Sequence, residues 1–155
     1  MKQLGMTVVA LVTLAGSGAA DPKEDPCSAK ALKLGTAKLL TPWQLPANCT
    51  VGNDLGGRGF VTSADAFTCA KDAKLGVDFA KTTLVRVTWN MSPAATGLAA
   101  FDDGKTITLA TRFRSPCPND PHPMPMTMTS WFQIPSAKAT RAFGEASCTF
   151  QPACK

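Results

Sequence analysis

His122, Met124, Met126 and Met128 occupy alternate positions of the segment His-Pro-Met-Pro-Met-Thr-Met. In an extended chain alternate residues project from the same face, so one imidazole and three thioethers share a side. Thioether sulfur is a soft ligand that selects Cu(I), and imidazole also suits copper. This stretch is therefore the candidate metal site. Packing is the competing role. The same face continues through Ser130, Phe132 and Ile134, and methionine is an adaptable filler of apolar cores. On that alternative His122, flanked by prolines, is an exposed loop residue.

Other constellations carry less chemistry. With His122 the only histidine, any nucleophile–histidine–carboxylate triad has to be built on that residue, and no Gly-x-Ser-x-Gly elbow is present. Asp102 and Asp103 form an adjacent carboxylate pair, which next to Gly104 reads as turn chemistry rather than acid–base chemistry. The run Asn53-Asp54-Leu55-Gly56-Gly57-Arg58-Gly59 lacks the Gly-Lys-Ser/Thr ending of a phosphate loop. No paired Cys-x-x-Cys spacing supports zinc. The expectation is a non-enzymatic protein with no catalytic residues and no resident cofactor, Cu(I) being the alternative.

The chain opens as a secretory signal: Lys2, an apolar run from Met6 to Leu14, then small residues ending at Ala20. That run is shorter than the roughly 20 apolar residues a membrane-spanning helix needs. Residues 1–20 are read as a signal peptide, 21–30 as a flexible leader and 31–155 as one domain, secreted or periplasmic. Cys27, Cys49, Cys69, Cys117, Cys148 and Cys154 all follow the signal. In an oxidising compartment an even set of this kind reads as three disulfides of undetermined pairing. The formal net charge of +5 comes from dispersed lysines and arginines. A nucleic-acid surface clusters its cations around stacking aromatics, so no nucleic-acid partner is expected. Asn48-Cys49-Thr50 and Asn90-Met91-Ser92 match the glycosylation acceptor pattern.

The elements that must position these residues are mostly strands. Val85, Val87 and Trp89 alternate with Arg86 and Thr88, a half-buried strand. Residues 98–101 and 105–113 flank Asp102-Asp103-Gly104 and predict a hairpin with Ile107, Leu109, Thr111 and Phe113 inward. A strand is expected over 126–134, ended by Pro135, and one or two short strands over 142–150. Ser63 caps a short helix through residues 64–70, with Asp65 in its first turn. The fold class is mainly β: a small antiparallel β-sandwich or barrel with one or two short helices, stapled by three disulfides.

Val77-Asp78-Phe79-Ala80-Lys81-Thr82-Thr83-Leu84-Val85-Arg86-Val87 resembles the opening of the PrcB-like domain, named for an accessory subunit of a bacterial surface protease complex. Thr96-Gly97 stands at that pattern's Thr-Gly-Gly turn, with Leu98 replacing the second glycine. Thr129-Ser130-Trp131-Phe132-Gln133-Ile134-Pro135 is similar to its closing strand. The resemblance spans residues 60–136 and implies a secreted accessory or protein-binding domain with no catalytic motif, its partner another protein. Asp78 and Lys81 read as a turn residue and a solvated charge. Contact surfaces are expected at the loops 56–59, 102–104 and 116–125, because binding concentrates on loops carried by a scaffold.

Overall fold

The computed structural model describes residues 25–52, 57–71, 73–92, 94–120 and 124–151. The signal segment, the start of the leader, His122 and Cys154 lie outside them.

Alternating apolar residues build two four-stranded sheets. The first holds β1 (Lys38–Leu39), β7 (Ala95–Asp102), β8 (Thr106–Arg114) and β10 (Ala142–Phe150), in the order β1-β7-β8-β10. The second holds β2 (Thr41–Trp43), β4 (Arg58–Val61), β6 (Thr83–Met91) and β9 (Met126–Ile134), in the order β2-β9-β6-β4. A two-stranded ladder pairs β3 (Cys49–Val51) with β5 (Phe67–Cys69). The sheets are open, so the sandwich arm of the expected fold holds and the barrel arm does not.

Val85, Val87, Phe132 and Ile134 of the second sheet meet Ala100, Ile107 and Leu109 of the first, all nearly free of solvent. The second sheet is buried on its other face too. Val61, Leu84 and Trp131 pack there with Phe67 under Trp43, Val51, Leu75 and Phe79. Trp43, Phe67 and Trp131 lie with centroids 5.6–5.8 Å apart, and the Trp43 indole N–H donates to the Leu75 carbonyl at 3.1 Å. On the far side of the first sheet, residues 25–37 lie across buried Phe101 and are tied down by Cys27–Cys148, Cα–Cα 5.3 Å. The part of the expected leader that is described, residues 25–30, is hydrogen-bonded into turns. Its Asp25 carboxylate accepts from Arg112 at 3.2 Å.

The hairpin between β7 and β8 forms as its sequence implies. Gly104 takes φ 92°, its amide donates to Asp102 Oδ1 at 2.8 Å, and those of Lys105 and Thr106 donate to Asp103 Oδ1. The amides of Thr106 and Lys105 hold the Asp103 carboxyl below its ordinary value. Thr83, fully buried, donates to the Ser136 carbonyl at 2.7 Å and accepts from the Ala139 amide at 2.9 Å, pinning the turn after β9.

Two expectations need correction, the helix after Ser63 and the antiparallel pairing of the last strand. Ser63 does cap a turn, its hydroxyl accepting from the Asp65 amide at 3.2 Å. That turn is a 3-10 helix over Ala64–Ala66 only, and residues 67–69 are strand. Burying Phe67 in the second core and bridging Cys69 to Cys49 outweigh local helix propensity. Residues 142–150 form a single strand, as one arm of the expectation has it, but it is nine residues long and pairs with β8 in parallel, not antiparallel. The chain leaves β8 for β9 in the opposite sheet and returns to the first, so β10 runs in the direction of β8. Of the three expected disulfides, two lie wholly among the described residues, Cys27–Cys148 and Cys49–Cys69, and Cys154 lies outside them. No described cysteine is a free thiol.

Candidate functional site

The alternation that carries Val85 and Val87 into the core continues to Trp89 and Met91, and that of Phe132 and Ile134 runs back through Ser130 to Met128 and Met126. Register puts Trp89 opposite Met128 and Met91 opposite Met126. All four side chains thus share the core-side face of the second sheet, toward one end of the sandwich. Phe132 is buried, whereas Met128, Met126 and Met124 are 36, 56 and 84 % exposed. Leu39 is the only other exposed large hydrophobic residue among those described. The packing role expected for Met126 and Met128 is therefore not what they perform.

Two side-chain hydrogen bonds tie β6 to β9 at this end. The Trp89 indole N–H donates to Ser130 Oγ at 2.9 Å, fixing the ring beside Met128, and Thr127 Oγ1 donates to Asn90 Oδ1 at 3.3 Å on the opposite face. Next to Trp89 the sheets part over a cleft of about 450 Å³, lined by Val87, Leu98, Leu109 and Phe113, with the Arg58–Glu145 ion pair on its wall. Met126 and Met128 are brought to the same end of the sheet as Met91, which lies more than thirty residues earlier and is not among the residues the sequence singled out as ligands. The two-residue period from Val85 onward signals its face, but nothing local signals its partner strand. Among the described residues no three His, Cys, Asp or Glu side chains converge as a metal site.

β9 offers a second feature, its outer edge. The Thr88 amide donates to the Gly57 carbonyl at 2.6 Å, which turns Thr88 toward β4. Alternation then turns Val87, Trp89 and Met91 toward β9. Across the register, the backbone groups of Thr127, Thr129, Trp131 and Gln133 face away from β6. β2 pairs with β9 only from Trp131 to Gln133. Among the described residues no strand pairs with Thr127 or Thr129 on that side. Where β2 stops, a pocket of about 600 Å³ opens beside the edge, lined by Trp43, Leu45, Val51, Thr129 and Trp131.

Among the described residues of the loops expected to make contacts, the aspartates are committed to structure. Asp102 holds Arg141 Nε at 3.0 Å as well as the turn amide. Asp120 accepts from the Cys117 amide at 2.6 Å and forms an ion pair with Arg114. Asp78 caps its own turn by accepting from the Ala80 amide at 3.0 Å and pairs with exposed Lys81 at 3.3 Å. Among the described residues no helix is long and apolar enough to cross a membrane. Compared with known proteins, the chain matches no family model, no curated protein and no solved structure.

Proposed function

We propose that this is an exported, non-enzymatic binding domain that takes up an extended segment of a partner protein as an added strand along β9. The observation that carries the reading is the outward-facing backbone of Thr127 and Thr129, in line with β2 and ending at the Trp43–Trp131 pocket. Strand addition derives affinity from main-chain hydrogen bonds and specificity from pockets that accept alternate side chains. A free donor and acceptor row at a sheet edge is a ready template for it. The likeness of residues 60–136 to the PrcB-like accessory domain favours the same role. The cysteine content agrees with an oxidising location outside the cytoplasm.

Thr129→Pro tests the reading. Proline removes the outward N–H while leaving the bonds to β6, which run from the neighbouring residues, and proline is tolerated at such an edge. Stability should change by less than about 1 kcal/mol. A partner captured from the native medium by the wild-type domain should be lost by the variant, and binding should slow hydrogen exchange at the Thr127 and Thr129 amides. A partner that binds both proteins equally, or protects a different surface, overturns the proposal.

Six exported cysteines are expected to form three bridges, one of which reaches Cys154, outside the described residues. With Cys27–Cys148 and Cys49–Cys69 formed, Cys117 is left to Cys154. Non-reducing peptide mapping of the secreted protein should recover these two cysteines in one linked pair, and a thiol on Cys154 would refute the assignment.

A further inference from the structure

We propose that Met91, Met126 and Met128, with Met124 at the rim, form a Cu(I) site, a role separate from partner binding along the β9 edge. The chain holds six methionines: Met1, Met6, Met91, Met124, Met126 and Met128. Apart from the two at the extreme N-terminus, all lie at the end of β6, on β9 or two residues before it. Met91, on β6, is placed by the register opposite Met126. A protein using methionine as filler distributes it through the core. Here the core is made of Leu, Ile, Val, Phe and Trp, and the thioethers are held out in solvent at 36–84 % exposure on β9 and the residues before it.

The chemistry of the donor set points to one class of ion. Thioether sulfur is soft and uncharged, so it selects monovalent copper over zinc or the hard divalent cations. Directly opposed residues on antiparallel strands lie about 5.5 Å apart at Cα and diagonal ones about 7–8 Å. The three rotatable bonds of each methionine let the sulfurs of Met91, Met126 and Met128 close on one ion from those starting points. Binding needs no electron transfer and no proton release, because neutral thioethers are already in ligating form. Half-buried Trp89 stands beside the thioethers, fixed through Ser130.

The experiment is an anaerobic titration of the disulfide-intact domain with Cu(I) against a competing chelator, after any free thiol has been alkylated. The expected result is one-to-one binding with shifts of the ε-methyl resonances of Met91, Met126 and Met128. Met91→Leu and Met126→Leu keep apolar bulk and remove sulfur, and each should weaken binding by about tenfold or more without altering the fold. Thr129→Pro should leave the titration unchanged, which separates this site from the partner edge. Failure to hold Cu(I) against the chelator, or full affinity in Met91→Leu, overturns the proposal.

Discussion

Replacing Cys27 and Cys148 together by alanine should lower the unfolding free energy by about 4–5 kcal/mol, more than the same change at Cys49 and Cys69. The bridge joins residues 121 apart in sequence, and the entropy a crosslink removes from the unfolded chain grows with the closed loop. The same arithmetic for Cys49–Cys69, separated by 20 residues, gives about 3 kcal/mol. The long bridge has a second effect. It fastens residues 25–37 over Phe101, so its loss also frees a cover on the first sheet. Urea unfolding followed by far-ultraviolet circular dichroism should show a midpoint lowered by roughly 2–3 M for the long-bridge variant. A smaller loss than that of the Cys49/Cys69 double variant would show that the unfolded chain is already constrained by other means.

Trp131→Ala should cost about 3–5 kcal/mol. Trp131 is buried on the central strand β9, with Trp43 and Phe67 at 5.6 and 5.7 Å. Removing it deletes both ring contacts and leaves a cavity that the second sheet, packed on its other face as well, cannot close by collapsing. Trp89→Ala is the contrast within the same sheet. That ring is half-buried at an open end, so its loss should cost about 1–2 kcal/mol. Thermal unfolding monitored by circular dichroism compares the two without relying on tryptophan emission. Equal costs would mean that the outer core contributes little beyond area burial.

The Trp131 effect depends on a second core that is hard to see in the sequence. Phe67, Leu75, Val77 and Phe79 are spaced along an irregular stretch and acquire a common role only because β3 and β5 close over Leu84 and Trp131. The strand over residues 67–69 follows from the same closure. Cys49 and Cys69 are direct register partners, and that pairing overrides a capped, helix-permissive segment. The functional end has the same character. Alternation alone puts Met126 and Met128 on the face of Phe132, yet whether that face is covered depends on where the opposing sheet packs.

By itself the sequence determined β6, β8 and β9, the β7–β8 turn and the oxidised cysteines, because each rests on local chemistry. Two-residue alternation chooses a face, Asp-Asp-Gly accepts the turn's amides and its positive φ, and proline ends a strand. Only the tertiary structure decided the parallel pairing of β10 with β8, the choice of cysteine partners, the exposure of Met126 and Met128, and the meeting of Met91 with Met126. Those properties belong to pairs of segments distant in the chain. Their free energy comes from burying surface that neither segment possesses until the two sheets pack.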